Sequence, residues 1–238
     1  MTRNFDLSDL TGDSLYKLVH WFSPSFPIGA YAYSRGLETA VESALVNTKE
    51  ELVDWIISDL LNGPGWIDAV LFCHVFRAAV NNNEKELLEL ATLANALRGS
   101  SELALESSNQ GEAFATTVSE CWSLSQVDAI QRSLGGNDIR VALPVAAAAS
   151  CAFSHIPLEQ SLFFYVQAEV NNLVSAGIRL IPLGHSDGQR ALLLLEETVH
   201  KTVEKAPTIT LDNLGTSTPM IDLMSMAHET QYTRLFRS

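Results

Sequence analysis

The fold class is indicated most clearly by the stretch WIDAVLFCHVFRAAV, residues 66–80. Its apolar side chains recur at the three- and four-residue spacing that places them along one side of an α-helix. The residues on that side are Ala69, Val70, Cys73, Phe76 and Val80. Turn-forming residues bound the stretch, with Gly63-Pro64-Gly65 before it and Asn81-Asn82-Asn83 after it. It therefore predicts one helix with two defined ends.

The same spacing continues on both sides of this stretch. Towards the start of the chain it predicts helices at about 13–22 and 34–44, and a helix from Thr48, where Glu51 completes a capping box. Towards the end, further helices are predicted at 84–97, 101–123, Pro144 to about 155, Pro157 to 181, Asp187 to about 199 and Thr218 to 229. Period-two alternation and internal repeats are missing from the sequence. The prediction is an all-α fold: a single compact domain of about nine or ten helices (residues 1–227) with an extended C-terminal tail (residues 228–238).

The composition excludes some classes of function. The chain has 238 residues, of which 47% are hydrophobic and 18% charged, and its net charge is −13. A chain this acidic repels phosphate backbones, so we expect no nucleic-acid partner. Residues 1–13 lack the apolar core of a signal peptide, and the uncharged run 141–153 is too short to span a bilayer. With its three scattered cysteines, the sequence predicts a cytoplasmic protein without a membrane partner.

One short motif matches a catalytic pattern. Residues 184–188, Gly-His-Ser-Asp-Gly, fit the nucleophile elbow of serine hydrolases, in which Ser186 would attack the substrate. That elbow requires a buried strand before the serine, and Pro182 would interrupt such a strand. A turn between two helices, with Asp187 as the N-cap of the second, explains the same residues. We therefore expect no enzymatic activity, and the phosphate-loop motif of nucleotide hydrolases is also missing from the sequence.

Metal ligands are sparse in the sequence. The six histidines are widely spaced, and only Cys151 and His155 share the four-residue spacing that brings two ligands to one side of a helix. Two ligands do not make a structural metal site. The pair is explained by an apolar helix with a small cysteine and a terminal histidine, although imidazole and thiolate also suit transient binding of nickel or copper.

Two segments have the composition of recognition surfaces. The loop at residues 23–36 mixes prolines and glycines with Tyr31, Tyr33, Ser34 and Arg35, which fits either a rigid recognition loop or a packed connector over the core. The tail is unusual for a chain terminus, which is ordinarily small and polar. It carries Tyr232, Leu235 and Phe236 as apolar anchors, with Arg234 and Arg237 beside them. Folding back on its own domain is one alternative for the tail, but its chemistry favours docking to a partner.

Three blocks of the sequence resemble the urease accessory protein family UreF. They are SPSFPIG at 23–29 with YSRGLE at 33–38, AGIRLIPLG at 176–184, and the tail HETQYTRLFRS at 228–238. The blocks occur in one order and extend over nearly the whole chain. The resemblance implies an all-helical, non-enzymatic chaperone that forms a homodimer and helps deliver nickel to apo-urease.

The resemblance also implies particular partners and contact residues. The family assembles with the UreD (UreH) protein and the GTPase UreG, and nickel would pass in transit, with no tightly bound cofactor. Arg179 occupies a position implicated in coupling to the GTPase, and the tail resembles a segment that orders when UreD binds. His185 stands where the family often has glutamine. The implied partner-binding residues are Tyr33, Ser34, Glu38, Arg179, His228, Glu229, Gln231, Tyr232, Arg234, Leu235, Phe236 and Arg237. Without UreD we expect the last residues to be mobile or held by a neighbouring molecule. A nickel-storage protein is a further alternative, which would need several converging ligands.

Overall fold

The computed structural model describes residues 10–238, and the expectation of no signal peptide falls mainly on residues outside that range. The all-α prediction is confirmed, since the described residues contain no strand. Ten of their helices have ten or more residues, and α2 has six. The helices are α1 (Gly12–Trp21), α2 (Leu37–Glu42), α3 (Lys49–Asn62), α4 (Pro64–Val80), α5 (Glu84–Ala96), α6 (Ser101–Cys121), α7 (Ser125–Gly136), α8 (Leu143–Phe153), α9 (Leu158–Leu180), α10 (His185–Lys205) and α11 (Pro219–His228).

Local sequence signals set most helix boundaries. Thr48 and Glu51 form the predicted capping box, in which each side chain pairs with the other residue's backbone N–H. Pro64 opens α4, where the missing N–H of proline costs nothing. The predicted start of α10 is wrong by three residues. Asp187 lies in its first turn and accepts the N–H of Gly184 at 3.2 Å, so Gly184 is the N-cap and the helix begins at His185.

Helices α4 and α8 form the centre of the domain. Every residue from Leu143 to Ala152 of α8 is buried, and their mostly small side chains allow α8 to pack closely between α4 and α6. The segment Lys49–Val80 has the length and composition of a membrane span. It is divided into α3 and α4 at Gly63, and 67% of its most apolar window is buried within the domain. These helices therefore serve as core helices of this fold.

The tail is attached to the domain. Residues 228–238 turn back over α2 and the loop at 23–36, as in the alternative in which the tail folds back on its own domain. Phe236 is only 3% exposed and joins the main core, and Ser238 is buried as well. The tail follows this path because its backbone and side chains form hydrogen bonds with the domain.

The backbones of α6 and the start of α8 lie so close together that position 111 requires glycine. A Cβ placed on Gly111 would lie 2.6 Å from the nitrogen of Leu143. Since backbone cannot swing aside, we expect Gly111→Ala to lower the free energy of unfolding by about 1–3 kcal/mol. Urea denaturation measures the change.

The matched control is Gly135→Ala in α7, where a Cβ would meet nothing within 4 Å. Alanine is the better helix former, so stability should stay the same or rise by up to about 1 kcal/mol. Equal losses in both variants would show that the α6–α8 contact is not as close as described.

Candidate partner-docking site

The three blocks that carry the family resemblance meet at one place on the surface. The main-chain N–H of Ser34 donates to the carbonyl of Ser238 at 2.8 Å, and that of Arg237 donates to Ala32 at 2.7 Å. From the end of α9, Arg179 donates to the carbonyl of Tyr31 at 2.7 Å. We call this assembly of loop 23–36, the last turn of α9 and the tail the docking site. Its parts are distant in sequence, and these contacts make them one structural unit.

Glu38 is the main anchor of the tail. Its carboxylate accepts the N–H of Leu235 at 2.6 Å and the N–H of Phe236 at 2.9 Å. One of the same oxygens lies 3.0 Å from Nε2 of His228. Gly36, just before α2, is needed for this arrangement because its φ is +76° and a Cβ there would lie 2.7 Å from the nitrogen of Ser225. The Glu38 carboxylate thus accepts two tail N–H groups in place of backbone carbonyls.

His228 connects the Glu38 anchor to α6. Its ring is completely buried, and Nδ1 lies 2.6 Å from a carboxylate oxygen of Glu102. Both ring nitrogens therefore face carboxylates, so the ring connects Glu38 to Glu102. Arg234 donates to the other oxygen of Glu102 at 2.8 Å and also to the carbonyl of Glu229. Charge-assisted bonds of this kind are the stronger class of hydrogen bond, so they hold the tail firmly.

Beneath the loop lies a buried ionic cluster centred on Arg35. Its guanidinium contacts Glu169 directly, and its Nε donates to Glu106 at 3.2 Å. Asp59 and Asp68 are each 3.8 Å from it. These four carboxylates come from α9, α6, α3 and α4, so one side chain joins four helices. A second buried arginine, Arg98, approaches Asp68 at 2.8 Å.

The cluster contains more carboxylates than arginines, and its pKa values reflect that excess. Burial raises the pKa of Glu169 to about 7, against the lowering effect of Arg35. Burial likewise raises the pKa of Asp59, although Arg35 and the N–H of Gly65 oppose it. Burial alone would lower the pKa of Arg35, but the surrounding carboxylates hold it well above its ordinary value. The guanidinium is therefore permanently charged, and Glu169 is the group that titrates near neutral pH.

The tail reaches this cluster directly. The hydroxyl of Ser238 donates to Glu106 at 2.5 Å, on the carboxylate that also accepts Nε of Arg35. The Ser34 hydroxyl donates in turn to the carbonyl of Ser238. The last residue of the sequence is therefore bonded to the loop and to the buried cluster together.

The sequence-predicted contact residues divide into an inward and an outward set. Buried residues hold the tail in place and cannot meet a partner while it is docked. They are Tyr33, Ser34, Glu38, His228 and Phe236. Gln231 also bonds to the domain, through Thr39 at 2.7 Å, and Glu229 accepts the N–H of Ser101 at 2.9 Å. The side chains of Tyr232, Leu235 and Arg237 lie outside, Tyr232 being fully exposed and Leu235 62% exposed.

The loop at 23–36 has features of both predicted types, the packed connector and the recognition loop. Phe26 and Tyr33 are buried connectors over the core, whereas Tyr31 is 70% exposed. A cavity of about 150 Å³ lies beneath the loop, with aromatic side chains and Glu169 in its wall. The loop is thus a packed connector that leaves one aromatic ring outside.

Five acidic residues of this site are not among the predicted contact residues, although Glu38 and Glu229 are. They are Glu102, Glu106, Asp59, Asp68 and Glu169. Each of these carboxylates lies on a helix whose other inward residues are mostly apolar. The sequence signal for such a carboxylate is a charged residue at a position where the helical spacing of the apolar residues predicts a buried side chain.

The rival site hypotheses do not find their geometry in the structure. Ser186 lies exposed in the first turn of α10, which follows α9 through a short turn, so the strand of a nucleophile elbow is missing from the described residues. Cys151 is fully buried, and burial raises its pKa to about 12, whereas His155 is exposed beyond the end of α8. Within residues 10–238 no group of three or more potential metal ligands gathers.

Comparisons with known proteins agree on one family. The sequence profile of UreF matches residues 46–196. The urease accessory protein UreF of Granulibacter bethesdensis is 43% identical over 239 aligned residues, covering 100% of both chains. That of Rhodopseudomonas palustris strain TIE-1 is 44% identical, over 94% of this chain and 92% of its own length. That of Bradyrhizobium diazoefficiens is 40% identical, over 98% and 95%.

The raised pKa of Glu169 predicts how stability depends on pH. An unfolded glutamate titrates near 4.3, so between about pH 4.3 and 7 the folded state binds the extra proton and stability falls as pH rises. Glu169→Gln mimics the protonated side chain, so it should remove much of this loss and be more stable than the natural protein at pH 8. Urea denaturation from pH 5 to pH 8 measures the slope.

Glu159→Gln, at an exposed position on the same helix, is the matched control and should keep the natural slope. If Glu169→Gln shows that same slope, Glu169 does not carry the extra proton.

Proposed function

Because the chain belongs to the UreF family of urease accessory proteins, we propose that it acts in urease maturation by binding other proteins and not by catalysis. Its docking site would bind the UreD (UreH) protein. The observation that carries this proposal is the outward half of the tail, where Tyr232 and Leu235 are exposed although the N–H groups of Leu235, Phe236 and Arg237 are bonded to the domain. Exposed aromatic and aliphatic side chains on a rigid backbone are typical anchors of a protein interface.

Helix α11 supports the same proposal. Met220, Leu223 and Met226 are exposed, and their three-residue spacing places them along one side of the helix that leads into the tail. Methionine and leucine on a surface helix form an apolar strip that a partner can cover. We therefore propose that UreD contacts α11 and the outward tail residues together.

A tail that is already docked changes the energetics expected of this interaction. A segment that orders only on binding spends part of its interaction energy on lost conformational freedom. Here Glu38, Glu102 and the carbonyl of Ala32 already fix the tail through hydrogen bonds. UreD would meet a preformed surface, and this should favour tight binding.

The remaining assignments follow from the family relationship. We propose that the chain forms a homodimer, bridges UreD and the GTPase UreG, and helps to couple GTP hydrolysis to nickel incorporation into apo-urease in the cytoplasm. Nickel would be the cargo of the complex, in transit and not stored in this chain. Arg179 belongs to the docking site, so contact with UreG near this position would also affect the position of the tail.

The proposal predicts that outward tail residues determine UreD binding. In the double variant Tyr232→Ala/Leu235→Ala we expect at least a tenfold weaker complex, since buried interface anchors are each worth about 1–2 kcal/mol or more. Pull-down followed by titration calorimetry against UreD measures the loss. Helix content should stay intact because neither side chain is buried in the free chain.

Leu193→Ala/Leu194→Ala provides the matched control, because these leucines are also exposed but lie on α10. Removing residues 232–238 entirely should abolish the complex. If the tail variants bind UreD as tightly as the natural chain, the docking proposal is incorrect.

A further inference from the structure

The side chain of Arg179 makes two contacts in the docking site. Its guanidinium carbon lies 4.2 Å from the centre of the Phe236 ring, within the range of a cation–π interaction. Its Nη2 also donates to the carbonyl of Tyr31 at 2.7 Å. One contact is to the tail and the other is to loop 23–36.

We propose that Arg179 is a positioning residue, which holds Phe236 in place and fastens the tail to the loop. The role assigned to it is within this chain and stands independently of any partner. Release of the tail would free the guanidinium, and removal of the guanidinium would loosen the tail.

The geometry supports a clamp. Phe236 is 3% exposed, so its ring is enclosed by the domain on its other sides and Arg179 covers the surface side. The pKa of Arg179 is lowered by burial, as expected for a cation lying against apolar surface. Nε of the same guanidinium contacts the carbonyl of Ser175 one turn earlier, which fixes the side chain along α9.

Three tail amides report on this clamp. The N–H groups of Leu235 and Phe236 donate to Glu38, and that of Arg237 donates to Ala32. Each N–H exchanges with solvent deuterium only when the tail leaves the domain. Their exchange rates in the isolated chain therefore measure tail attachment without UreD or UreG.

The decisive experiment compares Arg179→Lys with Arg179→Met by residue-resolved hydrogen exchange. Methionine keeps the apolar stem and loses the charge, so we expect the three amides to exchange roughly three- to tenfold faster, in line with the strength of a cation–π contact. Lysine retains a cation over the ring and should restore much of the protection. Amides at the centre of α4, such as that of Phe72, should exchange as in the natural chain.

Phe236→Leu completes the test, because leucine fills the pocket without an aromatic face. In that background, lysine and methionine at position 179 should give the same tail exchange. The clamp is refuted if Arg179→Met leaves the tail amides as protected as in the natural chain. It is also refuted if the lysine and methionine variants still differ in tail exchange rate when Phe236→Leu is present. A variant that loses UreG binding while its tail protection is unchanged would likewise assign Arg179 to direct contact with UreG and overturn the proposal.

Discussion

The structure depends on one buried arginine. Arg35 is surrounded by carboxylates from four helices, and such a charge is tolerated inside a protein only when it is paired and hydrogen-bonded. The helices α3, α4, α6 and α9 must therefore keep their carboxylates around the guanidinium. Because Arg35 lies between Ser34 and Gly36, the cluster also fixes the position of loop 23–36. The loop then presents Ser34 to the tail, and α2, which follows it, presents Glu38, so the ionic cluster determines where the tail can dock.

The tail has two kinds of residue with opposite tasks. His228, Phe236 and Ser238 face inward and bond to Glu38, Glu102 and Glu106, whereas Tyr232 and Leu235 face solvent. Three glutamates that would be costly to bury alone are satisfied by the tail. Attachment of the tail and integrity of the ionic cluster are consequently linked through Glu106. Of the two outward residues, Leu235 is connected to the cluster by hydrogen bonds that run from Glu38 through Ser34 and Ser238 to Glu106.

Much of the fold could be predicted from local signals, and the site could be predicted only in part. Thr48, Glu51, Pro64 and the apolar spacing of residues 66–80 act within a few residues of each other, so the sequence reveals them. The apolar spacing predicts no helix between residues 123 and 144, whereas α7 lies there with Gly135 and Gly136 in its last turn. The path of the tail over the domain could not be predicted from local sequence signals. Its acceptor Glu38 lies almost 200 residues away in sequence, and no spacing rule connects distant groups.

The central claim is that the tail belongs to the folded domain before any partner arrives. The most direct measurement is ¹⁵N relaxation of the isolated chain at the amides of Leu235, Phe236 and Arg237. The account predicts order parameters like those of the helices, about 0.8 or higher, at all three positions. Values below about 0.6 there, with rigid helices elsewhere, would contradict it and would mean that the tail orders only on binding.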